Sequence, residues 1–331
     1  MALKPPLGIG IIGCGNIARA HVQALQQIPQ VRLVAAMDVV EERAQRLAEQ
    51  FGARYATTDW ERVFGDPEVD AVLVALPHAL RVEPIVAAAR AGKHILVEKP
   101  MAPSLAEADA MLAAARQHGV TLMVGQVLRF RAAYRKAKEC LQQGRIGTPT
   151  HFLRRRLFYS RKPPVSWATD PAMAKGWLLY GYGSHEFDIV LWLDGSEVTQ
   201  LYAEGRRTTD LWGDEDEVTA LFSLASGAAA AVLLSMNSHS SAWDQIIIGT
   251  EGSLYLTNER VVLNGSEVLE APMDPSGGFV PEWQEFVAAL LEGRLPEASG
   301  EDVRRTMVAL EMAKRSLRER RLLRAEEVEG P

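Results

Sequence analysis

The chain has 331 residues, 47% hydrophobic and 24% charged, with a formal net charge of -6. That length suits about two domains of an ordinary globular protein. The acidic balance gives no electrostatic reason to expect nucleic acid or an anionic membrane as a partner.

Cys14 and Cys140 are the only cysteines. They make neither a disulfide framework nor a zinc cluster, so no metal is expected and a reducing, cytoplasmic setting is. No apolar run approaches the ~20 residues of a membrane span. The apolar start from Leu7 is broken by Gly8, Gly10, Gly13 and Gly15 and suits a strand better than a signal peptide.

Leu7 to Ile12 reads as a buried strand. Gly13-Cys-Gly15-Asn16-Ile17-Ala18 follows, and then a helical pattern from Ile17 to Leu25. A GxGxxA turn between strand and helix is the context of the dinucleotide fingerprint. Gly13 permits the tight turn, Gly15 admits the pyrophosphate and Ala18 lets the helix pack closely. The helix N-terminus offers N–H groups to the phosphates. The second strand, Val31 to Met37, ends at Asp38. An acid roughly 20 residues past the fingerprint binds the adenosine ribose hydroxyls and repels a 2′-phosphate. NAD is therefore favoured over NADP, with Arg43 close enough in sequence to soften that preference.

Glu41 to Phe51 and Trp60 to Phe64 read as helices, Asp70 to Leu76 as a strand ended by Pro77, and Pro84 to Ala91 as a helix capped by Gly92. Ile95 to Val97 is a buried strand that ends on Glu98-Lys99-Pro100. A lysine there stands where open parallel sheets bind their ligands. Ser104 to His118 is a helix and Val120 to Gly125 a strand that ends at Gln126. Strict alternation of strand and helix predicts a doubly wound parallel sheet.

Strand–GCGNIA–helix, Asp38, Leu76-Pro77, the stretch Ala91 to Pro100 and the stretch Met123 to Phe130 occur in that order. Together they resemble the Gfo/Idh/MocA oxidoreductases, the glucose–fructose oxidoreductase and inositol dehydrogenase family. The Glu98-Lys99-Pro100 tripeptide is the most specific mark. The resemblance implies an α/β protein: an N-terminal Rossmann domain, taken as 1–125, and a C-terminal α+β domain with an open, mostly antiparallel sheet, taken as 126–331, whose last helices can pack back on the first. It implies a nicotinamide cofactor held by Gly13, Gly15, Asn16, Ile17, Asp38, Leu76, Pro77, His78, Glu98, Lys99 and Gln126. It also implies a sugar or cyclitol substrate, and a homodimer or homotetramer joined through the sheets.

In the second half, Thr150 to Tyr159, Val198 to Glu204, Glu217 to Leu224, Ala228 to Met236 and Gln245 to Ile248 read as strands. Glu282 to Leu291 and Val303 to Arg320 read as helices. Trp167, Asp170, Pro171, Gly183, His185, Asp188 and Trp192 fall in order on the family pattern WRxDP…GGGxLxDxGxHxxD…WL. The family histidine maps to His185, which can exchange the hydroxyl proton near neutral pH. Lys99 is expected at the substrate oxygen, with Arg129, Trp167 and Tyr182 beside it. Three positions depart from the pattern: Gly181 replaces an aspartate, Ala168 an arginine, and Lys175-Gly-Trp177 a triple glycine. Tyr180 and Tyr182 flank the missing aspartate, and Tyr182 is the candidate to serve in its place.

Arg154-Arg-Arg156 reads as a solvated strand edge or, on one face, as a contact for an acidic substrate. His21 reads as a helix-surface residue. The function expected is hydride transfer between NAD(P) and a secondary hydroxyl or ketone. The alternatives are a lyase or glycosidase that oxidises its substrate transiently, and a regulatory protein that binds NAD without catalysis.

Overall fold

Six short apolar runs make the first sheet. β1 (Leu7–Ile12), β2 (Val31–Met37), β3 (Tyr55–Thr57), β4 (Ala71–Val74), β5 (His94–Glu98) and β6 (Leu122–Gly125) lie in the order β3-β2-β1-β4-β5-β6. Every pair is parallel. β1 and β4 are buried at every residue, as strands covered on both faces must be. The connecting helices are α1 (Asn16–Leu25), α2 (Glu41–Phe51), α3 (Trp60–Phe64), α4 (Val82–Arg90) and α5 (Leu105–His118). Strand order reverses between β1 and β4, the switch point of a Rossmann sheet. The computed structural model describes residues 3–329. Residues 1–2 and 330–331, at the outer ends of the two expected domains, lie outside it.

Beyond β6 the pattern changes to one of alternation. α6 (Ala132–Gln142) leads into β7 (Pro149–Tyr159), where Phe152 and Arg154 are buried while His151, Leu153 and Arg155 are exposed. This is the period of a strand with one covered face. α7 (Pro171–Ala174) precedes a π-helical stretch, Trp177–Gly183, which runs on into α8 (Ser184–Asp194). Then come β8 (Val198–Arg206), β9 (Glu217–Leu224), β10 (Ala229–Ser235), β11 (Asn237–Gly249), β12 (Ser253–Thr257), β13 (Val261–Leu263) and β14 (Glu267–Leu269). α9 (Phe279–Glu292), α10 (Gly300–Glu319), β15 (Leu323–Arg324) and α11 (Glu326–Glu329) follow. The nine strands from β7 form one sheet in the order β14-β13-β12-β11-β7-β10-β9-β8-β15. The β10–β7 pair is parallel and the other pairs are antiparallel.

Two differences from the sequence reading have clear causes. β11 is far longer than Gln245 to Ile248, because its register breaks between Asn237 and Ala242. That irregularity carries the pairing across a polar, serine-rich stretch with no apolar alternation. β7 lies between β11 and β10, so Arg154-Arg-Arg156 sits mid-sheet and not at a solvated edge.

The chain divides into two units. The first runs to Ala102, resumes over Ala106–Val127 and takes in Pro275–Val303. That last segment packs α9 against α1. It also covers the edge strand: the Val124 N–H donates to the Ala298 carbonyl at 2.9 Å. An edge paired in this way no longer offers a free ladder to another chain.

The second unit comprises Pro103–Leu105, Leu128–Asp274 and the chain from Arg304. Inside it Arg129, fully buried, is locked on Asp188 of α8. Its Nε donates to Oδ2 at 2.8 Å and its Nη2 to Oδ1 at 2.6 Å. The Thr306 hydroxyl adds a third donor to Asp188 at 2.9 Å. Arg129 was expected to line the substrate site. Its guanidinium is fully buried and anchors α8. Removing one partner of such a pair leaves a buried charge unmatched. Asp188→Ala should therefore lower unfolding stability by about 3–5 kcal/mol in a denaturant titration. A loss under about 1 kcal/mol would show that the pair does not hold α8.

Candidate active site

In the first unit the site is built on the carboxyl ends of β1, β2, β4 and β5. Gly13 ends β1 at φ +93°, and a Cβ there would lie 2.6 Å from the Ala75 carbonyl oxygen. Only glycine takes that turn without strain. Gly15 caps α1 with no side-chain hydrogen bond, and a Cβ on it would meet nothing within 4 Å. The first turn of α1 holds no acidic residue. An open, uncapped and uncontested helix N-terminus fits a pyrophosphate. Asp38, at the end of β2, accepts from the Cys14 N–H and the Val40 N–H, each at 2.9 Å. It thus ties the glycine loop to the second strand. Arg43 stands 4.0 Å from it and is mostly exposed. Burial, reinforced by Asp38, pushes the Cys14 thiol up to about 12, so Cys14 remains a protonated thiol and no nucleophile.

The end of β5 is held more elaborately. Glu98 is buried, Lys99 half-buried, and the Lys99–Pro100 peptide is cis. Arg81, itself buried, donates through Nε to the Leu76 carbonyl at 2.8 Å and through Nη1 to the carbonyls of Glu98 and Pro100. One guanidinium therefore fixes both sides of Lys99 and the residue before Pro77. Burial draws Arg81 down to about 10, against the charge of Glu98, and it stays a cation at neutral pH. His78 is buried at the start of the short helix after Pro77, and Gln126 is buried just past β6.

His21 is fully buried on α1, not on its surface. Its Nδ1 accepts from the Trp283 indole N–H at 3.0 Å. The ring proton must then lie on Nε2, which donates to Glu98 Oε1 at 2.9 Å. Burial raises the Glu98 carboxyl, but the His21 bond and the charges of Lys99 and Arg81 outweigh it and hold Glu98 below its ordinary range. Glu282 of α9 is also fully buried, its Oε2 3.9 Å from His21 Nδ1, and neither of its oxygens has a hydrogen-bond partner. Burial, then the charge of Glu98, raises it well above the carboxylate range.

In the second unit, His185 stands in the first turn of α8 and Tyr182 in the π-helical stretch before it, both half-buried. Phe158 lies 4.9 Å from the Tyr182 ring and Trp177 5.7 Å from it, and Trp167 packs edge-on to Trp177 at 5.3 Å. Burial raises the Tyr182 phenol against the charge of Arg156, so it keeps its proton at neutral pH and can donate it in a hydrogen bond. Tyr180 is buried, its hydroxyl 3.4 Å from Glu311. A Cβ on Gly181 would lie 3.2 Å from the Trp177 ring. The indole thus packs tightly beside position 181.

Both halves of the chain match known proteins. The pattern of the oxidoreductase family with an NAD-binding Rossmann fold matches residues 7–126, and that of the GFO/IDH/MocA C-terminal domain matches 134–255. A myo-inositol 2-dehydrogenase from Thermotoga maritima is 31% identical over 97% of this chain and 99% of its own length. The chain belongs to the Gfo/Idh/MocA oxidoreductase family. A 1,5-anhydro-D-fructose reductase from Ensifer adhaerens is 30% identical over 88% of the chain and 91% of its own length. The crystal structure of an aldose-aldose oxidoreductase from Caulobacter crescentus, complexed with glycerol, is 26% identical and superposes with a TM-score of 0.88 over 96% of this chain and 99% of that one. This Gfo/Idh/MocA protein is an NAD-dependent oxidoreductase. The lyase and NAD-sensing alternatives draw no support from these relatives.

Three residues, Arg81 and His21 in the first unit and Trp243 in the second, were not picked out from sequence as functional. Arg81 had a signal: a cation at the start of a helix works against the dipole, so another contact must hold it there. His21 and Trp243 had none, since their partners are remote in the chain.

Glu282 makes the network sensitive to pH. Its folded carboxyl binds a proton more tightly than the unfolded one. Stability is then fullest below the ordinary value of about 4.3 and falls as pH rises toward the folded value. Glu282→Gln does not titrate. Its Tm relative to wild type should rise by several degrees between about pH 5 and pH 8. A constant difference across that range would show that Glu282 is not held as a neutral acid.

Proposed function

We propose that this enzyme oxidises a secondary hydroxyl, or reduces its ketone, in a sugar- or cyclitol-like substrate, with Lys99 and His185 acting on one substrate oxygen. The observation that carries this reading is the setting of Lys99. It leaves the buried end of β5 between two carbonyls clamped by Arg81, next to a Glu98 already engaged by His21. A cation anchored at the carboxyl edge of a parallel sheet faces the ligand side.

NAD would be held by the α1 N-terminus, Gly13, Gly15, Asn16, Ile17 and Asp38, with Leu76, Pro77, His78, Glu98 and Gln126 around the nicotinamide end. Bound nicotinamide supplies the hydride acceptor or donor. In the oxidation direction the ammonium of Lys99 donates a hydrogen bond to the substrate oxygen and stabilises negative charge as it develops. The imidazole of His185 takes the hydroxyl proton as general base, and returns it in reduction. Tyr182 donates from its phenol to a neighbouring hydroxyl. Trp167 supplies an apolar surface of the kind that covers sugar C–H faces. Residues 1–125 would then form the cofactor domain and 126–331 the domain for substrate and assembly.

A reducing, cytoplasmic setting suits the two free, buried cysteines. A homo-oligomer suits the outer face of the large sheet. Leu221, Ala231, Leu153, Ile246, Tyr255, Val262 and Val268 follow one another in register across seven strands. Leu221, Leu153, Tyr255 and Val268 are exposed. An apolar row of that length on a monomer is a liability that a second copy removes.

Lys99→Met tests the reading directly. NADH formation with a panel of sugars and cyclitols should fall by about 10²–10⁴, while NADH binding, read by its fluorescence, changes less than about threefold. Arg81→Met should keep cofactor binding and lose about tenfold in kcat, as expected of a positioning residue. Full turnover in Lys99→Met would remove Lys99 from the chemistry.

A further inference from the structure

The inner face of the large sheet carries a cation that the chemistry above does not use. Arg154 and Arg156 are two apart on β7 and share the face opposite Arg155, which pairs with Asp244. Arg154 is fully buried and matched: Nε donates to Glu186 and Nη2 to the Tyr134 hydroxyl at 2.9 Å. Arg156 is half-buried and makes no ion pair with any described residue. Its Nε is buried without a hydrogen-bond partner.

Glu186 accepts no hydrogen bond from Arg156. One of its oxygens takes Arg154 and the other accepts from the Trp243 indole N–H at 3.1 Å. Trp243 stands opposite Arg156 across the β7–β11 pair, and the guanidinium lies 3.6 Å from the indole centroid. Phe158 and Tyr182 complete the surround at 5.3 and 5.6 Å. The aromatic faces hold the guanidinium through its π-face and leave its N–H edge for an acceptor. Tyr182 is the residue placed above at the substrate. The position where the family carries an aspartate is Gly181, so no carboxylate at 181 offsets this charge.

We propose that Arg156 binds a carboxylate on the substrate, so that the enzyme acts on sugar acids in preference to neutral sugars or cyclitols. This rests on the oxidoreductase reading and names its substrate class. One guanidinium with a free fork matches one carboxylate in a bidentate pair. With Glu186 hydrogen-bonded to Arg154 and Trp243, Arg156 has no carboxylate bonded to it among the described residues, and a carboxylate on the substrate would supply one.

The test uses matched pairs of an aldose and its uronic or aldonic acid, with the corresponding sugar phosphate as a third arm. Turnover is followed at the NADH band, and binding by quenching of tryptophan fluorescence. Wild type should prefer the acid by about tenfold or more in kcat/KM, or in affinity where a pair is not turned over. In Arg156→Gln the acid-to-neutral ratio should fall about tenfold, mostly through KM, with Arg156→Lys in between. Thermal unfolding confirms that each variant is folded. Turnover of neutral sugars with no preference for acids would overturn the assignment while the oxidoreductase reading stands. So would a preference for the phosphate, or an unchanged ratio in Arg156→Gln. Sugar acids that bind through Arg156 without NADH appearing would uphold Arg156 and count against the oxidoreductase reading.

Discussion

A carboxyl buried at the end of a parallel strand stays ionised only if donors match it, because an unmatched charge costs several kcal/mol. Glu98 is such a group, and most of the first unit's special features follow from keeping it. His21 supplies the donor, so α1 must carry a buried histidine. The histidine needs a fixed tautomer, which Trp283 of α9 enforces by donating to its other nitrogen. That requirement brings a segment more than two hundred residues away in sequence into the Rossmann unit. Arg81 then fixes the backbone on both sides of Lys99. The position of the lysine is a consequence of this cradle more than of its own contacts.

How much of this was legible in sequence depends on how local the cause is. The glycine turn, the acid ending β2 and the buried strands are local demands of backbone geometry and burial, and they stand in the letters. Gly13 is glycine because of its φ and the nearby Ala75 carbonyl, and the spacing announces both. His21 was misread because its partners lie 77 and 262 residues away. The Arg129–Asp188 pair was not foreseen because its partners lie 59 residues apart. The π-helical stretch before α8 was invisible: no residue in Trp177–Gly183 forbids an α-helix. β11 outran its apolar core because ladder pairing, not periodicity, carries it through the register break.

The second unit shows the same economy around Glu186. One buried carboxylate orients Arg154 on one side and Trp243 on the other. Trp243 in turn positions Arg156. The departures from the family pattern also read as one change. A tryptophan enters at position 177 where the pattern has glycine, and a glycine appears at 181 where it has aspartate. The ring of the first lies 3.2 Å from where a Cβ on the second would stand. Bulk moves by one helical step, and a negative charge leaves the face that carries Tyr182 and His185.

The most direct measurement is a crystal structure of the enzyme with NAD and a substrate that it turns over. Lys99 Nζ and a His185 ring nitrogen should both lie within about 3 Å of the same substrate oxygen. A complex with the reacting carbon seated at the nicotinamide and Lys99 turned away from that oxygen would contradict it.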